Sequence, residues 1–322
     1  MQAYIVKRTL LFIPTLILVT IVIFALLRVI PGDPAVMLLS GERDAGEEED
    51  YTQEALAKLR AKLGTDRPIV IQYATWFGNM LRLDFGTSFF YESPVSEDLK
   101  TKFPVTLELA FLATLLAIIV AVPLGVISAI KQDTLGDYVT RMITIAGVAM
   151  PSFWLAILII FVLVLIFGWM PPIVYVSLWD DPAGNLKQMF FPSLALGFSN
   201  MAFIARVTRS AMLEVFREDY IRTARSKGLA ERIVIFRHAL KNALLPVVTI
   251  AGYEFGRLLG GTVIIEVIFM VPGLGRLLVT SIFRRDFPEI QGVIVLITVL
   301  VLVLNMFLDL LYAWLNPRIR YS

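Results

Sequence analysis

The feature that most constrains this chain is a set of six apolar runs, each long enough to cross a lipid bilayer. A spanning helix needs about 20 mostly apolar residues, because hydrocarbon offers no water to satisfy exposed backbone groups. The composition agrees, since 57% of the 322 residues are hydrophobic and 17% are charged, whereas soluble proteins carry roughly 25% charged residues. The sequence therefore predicts an all-α integral membrane protein with six transmembrane helices. They are expected at residues 9–30, 105–130, 142–167, 192–216, 243–270 and 290–315.

Lysine and arginine are distributed unevenly between the connecting segments, and this sets the expected orientation. Basic residues accumulate in the cytoplasmic loops of membrane proteins. With a cytoplasmic N-terminus, thirteen basic residues lie inside and four lie in the short outer loops. Both termini are therefore expected in the cytoplasm. The first run has no small-residue cleavage site behind it, so we expect a retained helix and not a signal peptide.

In this topology a long extracytoplasmic segment, 31–104, follows the first helix. It holds thirteen acidic and eight basic residues, and the acidic run 47–50 is expected to be a solvated loop. The spacing predicts an amphipathic helix over 52–63, ended by Gly64, before an aromatic-rich stretch. We expect a small folded lobe here. The predicted organisation is a cytoplasmic N-terminus and first transmembrane helix (1–30), an extracytoplasmic lobe (31–104) and a five-helix core (105–322).

The residue inventory excludes several classes of function. The chain has no cysteine and one histidine, His238, so disulfides, thiolate metal sites and multi-histidine metal sites are excluded. An intramembrane protease would need a zinc-binding His pair, a Ser–His dyad or paired membrane aspartates, and only Asp309 lies within a predicted span. No nucleotide-binding phosphate loop occurs. We therefore expect no catalytic residue, metal or cofactor on this chain, and nothing indicates a nucleic-acid partner.

The connection 217–242 is longer than two adjacent spans require. It contains seven basic and three acidic residues and is helical in composition. Acidic residues at its start and basic ones after them suit a helix dipole, and Gly228 supplies the stop. Positive-inside topology or attachment to anionic membrane lipid would explain the charge. Neither explains Tyr220, Ala224 and Gly228 at four-residue spacing, which suits a surface that docks on another protein.

The stretch Tyr-Ile-Arg-Thr-Ala-Arg-Ser-Lys-Gly resembles the cytoplasmic coupling motif of bacterial ABC importer permeases in the dipeptide/oligopeptide branch, which also includes opine and nickel importers. It departs from the general motif because Arg222-Thr223-Ala224 stands in place of Glu-Ala-Ala. Other marks of the branch occur in order along the whole chain. They are Pro31-Gly32-Asp33-Pro34, Thr208-Arg209-Ser210, Arg237-His238-Ala239-Leu240-Lys241-Asn242-Ala243, Leu245-Pro246, Pro272-Gly273-Leu274-Gly275-Arg276, Arg285-Asp286-Phe287-Pro288 and Asn316-Pro317-Arg318-Ile319-Arg320.

The resemblance implies a type I ABC importer permease fold in the bacterial inner membrane. It implies three kinds of partner: a second permease subunit, commonly a different one, two cytoplasmic ATPase subunits or domains, and an extracytoplasmic substrate-binding protein. Membrane lipid is a further expected partner, because the apolar runs need it as their solvent. ATP and Mg²⁺ would bind the ATPase subunits. The implied coupling residues are Glu218, Asp219, Tyr220, Arg222, Thr223, Ala224, Arg225, Lys227, Gly228 and Leu229.

Ionisable residues within predicted spans mark function by default, because burying charge in hydrocarbon is costly. Glu254, Arg257 and Glu266 lie in the fifth span, and Glu254 and Arg257 are three residues apart, so they share a helical face. They either line the substrate pathway or form a buried pair, and the pair is the reading we favour. The same span carries a small-residue stripe that permits close helix packing. The stripe consists of Gly252, Gly256 and Gly260.

The function indicated is the channel subunit of an ATP-driven importer for di- or oligopeptides. Importers of glutathione, nickel, opines or oligosaccharides remain alternatives, because selectivity lies largely in the binding protein. A proton-coupled secondary transporter is the more distant alternative, and it gives no reason for the long loop 217–242.

Overall fold

The computed structural model describes residues 2–29, 35–36, 39 and 52–315, as backbone alone at 2–9, 27, 29, 62 and 311–315. Regular secondary structure within these residues is helical. The motif 31–34, the acidic run 47–50 and the C-terminal motif 316–320 lie outside the described residues. The helices are α1 (Gln2–Val29), α2 (Gln53–Leu63), α3 (Ile69–Leu81), α4 (Val95–Ile130), α5 (Leu135–Ala149), α6 (Ser152–Phe167), α7 (Pro182–Val215), α8 (Asp219–Ser226), α9 (Leu240–Ile268), α10 (Leu274–Arg284) and α11 (Phe287–Leu315), with a helical turn Glu231–Ile233 and a π-helix Val234–Ala239 before α9.

Within the described residues, four helices are long and apolar enough to cross a membrane. They are α4, α7, α9 with the two short helical segments before it, and α11. α1 contributes a shorter apolar stretch, Leu10–Leu26.

The third predicted span, 142–167, is not continuous. α5 and α6 meet at an angle of 106° and count as a fifth span only if the bent pair is taken together. The break falls at Met150 and Pro151, whose backbones are extended. Proline lacks an N–H and forces the residue before it out of helical conformation, which ends α5 here.

The chain divides into two compact units. The first unit comprises residues 2–102 and 277–302. In it Phe24, Tyr73 and Trp76 form an aromatic cluster, with the Phe24 and Tyr73 rings 5.5 Å apart. Tyr73 also hydrogen-bonds Thr20 over 2.9 Å. Gly64 ends α2 in the left-handed conformation at φ 68°, as the sequence predicts.

The first unit also positions Asp286, which belongs to the Arg-Asp-Phe-Pro motif. Its carboxylate is buried and accepts hydrogen bonds from Ser88 Oγ at 2.5 Å and Phe90 N at 3.2 Å. The motif therefore fastens the turn 84–94 to the start of α11.

The second unit comprises residues 103–276 and the chain from 303 onward, and α7 is its central helix. Glycines let neighbouring helices approach it closely. A Cβ on Gly125 of α4 would lie 2.6 Å from Ala205 O, and one on Gly197 of α7 would lie 2.5 Å from Ala113 O. The same holds where α5 meets α7, because a Cβ on Gly147 would lie 2.8 Å from Ala202 Cβ.

Asp137 ties three elements of the second unit together. It is fully buried and accepts both Nε and Nη2 of Arg209, each at 2.8 Å, and the hydroxyl of Ser128. Asp133 N donates to it as well, at 3.1 Å. The carboxylate thus joins the end of α4, the α4–α5 turn and α7, where α7 approaches the connection 217–242.

Glu266 joins the end of α9 to the start of α10. It is fully buried, and it accepts Thr106 Oγ1 at 2.8 Å and Arg276 N at 3.0 Å. A carboxylate beside the first N–H groups of a helix complements the helix dipole. A Cβ on Gly273 would lie 2.5 Å from both the Glu266 carboxyl and Thr106 Oγ1. The Pro-Gly-Leu-Gly motif is therefore shaped around a buried carboxylate of the same chain.

Candidate ATPase-coupling site

The connection 217–242 contains α8, a helix of eight residues that begins at Asp219. Two of its residues are buried, Ile221 at 0% and Ala224 at 6% exposure. They pack into an apolar cluster with Val126, Met212 and Val234, which belong to α4, α7 and the π-helix. α8 is therefore held on the second unit by an apolar face.

The buried face bears on one sequence expectation. Of Tyr220, Ala224 and Gly228, which were expected to share a docking face, Ala224 is buried in the chain's own core, whereas Tyr220 and Gly228 are exposed. The exposed residues of α8 also include a polar set. This set consists of Asp219, Arg222, Thr223 and Ser226, which follow the 3- and 4-residue helical spacing. We call these four residues the open face of α8.

The end of α8 has a defined hydrogen-bonded geometry. Gly228 adopts φ 73°, its N–H donates to Arg225 O at 2.9 Å, and Leu229 N donates to Ala224 O at 3.4 Å. This pair of bonds is the Schellman arrangement, which favours glycine because the left-handed conformation crowds a Cβ. Gly228 therefore ends the helix, as its position in the sequence predicts.

Arg225 holds the chain that follows α8. Its Nε and Nη2 donate to the two carboxylate oxygens of Glu231 at 3.2 and 2.7 Å. The hydrogen bonds to Glu231 raise the pKa of Arg225. Its guanidinium also lies 5.7 Å from the centre of the Phe216 ring. Arg225, predicted as a coupling residue, thus closes the loop from α8 to the next helical turn.

The remaining predicted coupling residues lie on α8 or next to its two ends. Tyr220 is 41% exposed and its hydroxyl accepts Asn242 Nδ2 at 2.7 Å. Glu218 precedes the first residue of α8, and Lys227 and Leu229 flank Gly228; all three are exposed. A cavity of about 490 Å³ opens beside the start of α8. It is lined by Ser210, Leu213, Glu214, Arg217, Glu218 and Asp219.

The charged residues of α9 separate into two environments. Arg257 donates from Nε and Nη2 to Glu254 Oε2 at 2.8 and 2.5 Å, and from Nη2 to Asn200 Oδ1 at 2.9 Å. The Glu254 side chain is 14% exposed, whereas that of Arg257 is 65% exposed. Glu266 lies apart from them in the buried anchor at the end of α9.

The glycine stripe of α9 is divided in the same way. A Cβ on Gly252 would collide with Leu308, and one on Gly256 would lie 3.7 Å from Asn305 Oδ1. Both neighbours belong to α11. A Cβ on Gly260 or Gly261 would meet no atom within 4 Å.

A second polar cluster lies between α4 and α7. The Tyr175 hydroxyl donates to Glu108 at 2.8 Å, and Asn185 Nδ2 donates to Val176 O at 3.0 Å. Burial and the hydrogen bond to Glu108 raise the pKa of Tyr175, so that the phenol stays protonated. The loop that precedes α7 is fixed by this cluster.

Sequence reasoning missed Glu231, Asn242, Asn200 and the Asp137–Arg209 pair. Asp137 and Arg209 are 72 positions apart, and Asn200 and Arg257 are 57 apart. Helical spacing identifies side chains that are neighbours on one helix, three or four residues apart, so it gives no information about contacts between different helices. The available signals are the position of Arg209 inside the Thr-Arg-Ser motif and that of Asn242 inside the Arg-His-Ala-Leu-Lys-Asn-Ala motif.

Two families match the chain. Residues 121–321 match the binding-protein-dependent transport system inner membrane component. Residues 1–110 match the N-terminal region of binding-protein-dependent transport system membrane components. The chain therefore belongs to the family of binding-protein-dependent transport system inner membrane components.

Curated relatives match over the full length. The dipeptide transport system permease protein DppB of Alkalihalophilus pseudofirmus is 40% identical, with 100% of both chains covered. The glutathione transport system permease protein GsiC of Salmonella choleraesuis is 37% identical, again with 100% of both chains covered.

Among solved structures, an amino acid ABC transporter matches 67% of this chain and 94% of its own, with a TM-score of 0.54 and 18% identity. The fold is thus that of an ABC transporter permease. Membership of the family makes this chain a membrane subunit of an ATP-driven importer in the inner membrane. It works with a substrate-binding protein and with a separate ATPase subunit, so the chain itself is not an enzyme.

Proposed function

We propose that this chain is one of two different permease subunits that form the channel of a peptide importer. It has six transmembrane helices, both termini in the cytoplasm and an extracytoplasmic lobe after the first helix. ATP and Mg²⁺ bind to the two ATPase subunits and not to this chain. The full-length similarity to permeases named for dipeptide and glutathione transport supports peptides as the substrate class.

The observation that carries the coupling role is the construction of α8. Its apolar side is buried in the core of the chain and its end is fixed by Gly228 and by the Arg225–Glu231 pair. We expect a short helix with these contacts to move together with α4 and α7, against which it packs. Its open face is therefore a rigid contact through which a conformational change in an ATPase subunit reaches α4 and α7.

A charge reversal on the open face tests this role. The complete transporter, with both permeases, the ATPase subunits and the binding protein, is reconstituted in liposomes. Arg222 is 78% exposed, and its ion pair within the described residues is with Asp219, at 3.4 Å. In Arg222→Glu we expect ATP hydrolysis stimulated by peptide-loaded binding protein to fall at least tenfold, at normal levels of assembled complex.

The matched control is Arg232→Glu, which reverses another exposed charge ten residues further along the loop. It should keep most of the stimulation. Full stimulation in Arg222→Glu would contradict a coupling role for the open face.

Glutathione is the second candidate substrate, favoured by the relative named for it. Glutathione and dipeptides differ in size and share free carboxylates. Competition between the two for uptake by the reconstituted transporter, using its own binding protein, separates them. Uptake of nickel, an opine or an oligosaccharide in place of either would show that the chain serves another branch of the family.

A further inference from the structure

Arg257 and Glu254 of α9 form a polar cluster with Asn200 of α7. Arg257 follows Leu240 by 17 residues and precedes Ile268 by 11, which places it about 25 Å and about 16 Å from the two ends of α9. Asn200 lies similarly deep in α7. The cluster is therefore at mid-membrane depth.

The guanidinium of Arg257 is nevertheless the exposed part of the cluster. Its side chain is 65% exposed, while Glu254 is 14% and Asn200 is 1% exposed. A charge at this depth facing lipid costs several kcal/mol, about 2.5–3.5 on insertion scales. The exposed side of Arg257 is therefore not a lipid-facing surface.

Comparison with α6 supports this conclusion. The exposed row of α6 is made of large apolar residues, Ile157, Phe161 and Leu165, at 53%, 58% and 67% exposure. The exposed row of α9 at the same spacing carries Tyr253, Arg257 and the pair Gly260 and Gly261 at its middle, with exposed apolar residues towards its ends, such as Val248 and Ile264. The exposed row of α6 is thus apolar throughout, whereas that of α9 is polar and open around Arg257.

The hydrogen bonds leave one nitrogen of the guanidinium available. Nε and Nη2 are engaged by Glu254 and Asn200, and among the described residues Nη1 has no acceptor. Asn200 Nδ2 is buried and also has no acceptor in the described part of the chain. A guanidinium held in place through Nε and Nη2 keeps Nη1 oriented for one further acceptor, and a carboxylate accepts such a charge-assisted hydrogen bond.

We propose that Arg257 is a substrate-contacting residue of the translocation pathway and binds the carboxylate of the passing peptide. This rests on the proposed function, and it applies to every peptide with a free C-terminus. Glu254 offsets the charge of Arg257, so the contact is weak. Weak binding suits a pathway, because a substrate must leave each site as readily as it enters.

The first experiment uses the complete transporter in liposomes and two forms of one peptide, with a free C-terminus or a C-terminal amide. Both are supplied at concentrations shown to saturate the binding protein. In wild type we expect the free acid to be taken up about tenfold faster, the effect of one charge-assisted contact. In Arg257→Gln the ratio should fall close to one, and Arg257→Lys should lie between.

Lys187→Gln is the control, since it removes an exposed positive charge near the start of α7, far from the cluster. It should keep the wild-type ratio. An unchanged ratio in Arg257→Gln overturns the inference while leaving peptide transport intact. Uptake of neither form by wild type would instead contradict the proposed function.

The second experiment does not depend on the substrate. The chain has no cysteine, so Arg257→Cys and Phe161→Cys are single labelling sites. In the assembled transporter a charged, water-soluble thiosulfonate should modify residue 257 and not residue 161. Modification of residue 257 only in the isolated subunit would mean that the second permease covers it. If residue 257 were modified neither in the assembled transporter nor in the isolated subunit, no aqueous path would reach it. Either result overturns the inference.

Discussion

Asp137 shows how much of this fold depends on single polar residues. It is buried without exposed surface, and all its hydrogen bonds come from within the second unit. Arg209 is its main partner, with 19% of its side chain exposed. Removing one member of a buried pair leaves the other desolvated and unpaired, which is where the large energetic effects arise.

Asp137→Asn should therefore lower the free energy of unfolding by about 3–5 kcal/mol. Thermal unfolding of the purified subunit in detergent measures this, followed by tryptophan fluorescence. The control is Glu54→Gln, which removes the exposed pair with Lys58 at 2.7 Å and should change stability by no more than about 0.5 kcal/mol. Equal changes in the free energy of unfolding of the two variants would show that the hydrogen bonds of Asp137 do not stabilise the fold.

For individual residues, the sequence predicts some roles and not others. Gly64 and Gly228 could be recognised as helix ends because a glycine after an amphipathic run is a local signal. The Glu254–Arg257 contact follows from three-residue spacing. The partner of Arg257 in α7 could not be found, because contacts between helices are set by packing and leave no period in the sequence.

At the scale of single elements, α8 combines a buried apolar side with a polar open face. The sequence predicts the helix and its end, but it could not show that Ala224 is buried, because alanine can suit either a core or an interface. Which side of so short a helix is buried depends on Val126, Met212 and Val234, residues remote in sequence.

Gly228→Asp should uncouple the transporter. The substitution places a charged side chain beside the open face at φ 73°, where no neighbouring atom lies within 4 Å of a Cβ. The stability loss should be about 1–2 kcal/mol, the cost of a side chain in the left-handed conformation. We expect loss of peptide-stimulated ATP hydrolysis, measured in the reconstituted transporter, with normal membrane insertion.

Gly64→Asp is a close control. Gly64 also ends a helix at positive φ, 68°, with open space around it, but it lies between α2 and α3. It should show the same modest loss of stability and retain stimulated hydrolysis. If both variants kept stimulation, Gly228 would be only a helix end.

For the whole molecule, composition was sufficient to predict an all-helical membrane protein, and the motifs were sufficient to predict the family. The bend of 106° between α5 and α6 was not anticipated, although Pro151 marks its position. Mean hydropathy is an average over a window of residues and does not depend on the direction of the helix axis. A bent pair of helices and one straight helix therefore give the same hydropathy profile. The division into two units could not be predicted either. Residues 277–302 belong to the same unit as residues 2–102, and a hydropathy window contains no information about segments so far apart in the chain.

Topology can be tested on the complete transporter in intact cells. Single cysteines are placed at Asp180 and Ser226, both exposed. Asp180 is preferable to its neighbour Asp181, which caps α7 by accepting from Ala183 N and Gly184 N. A membrane-impermeant maleimide should label residue 180 and should reach residue 226 only after the cells are opened. Labelling of residue 226 from outside would reverse the orientation and remove α8 from the ATPase side.

The anchor at the end of α9 has a consequence for how this chain can change over time. Thr106 and Glu266 are hydrogen-bonded to each other and lie so close to Gly273 that a Cβ at position 273 would come within 2.5 Å of both side chains. A homologue that lost both the carboxylate and the hydroxyl would be released from the need for glycine at 273, and one that kept either would not. The three positions, 160 and 7 residues apart along the chain, are thus expected to covary and to be inherited as a single unit.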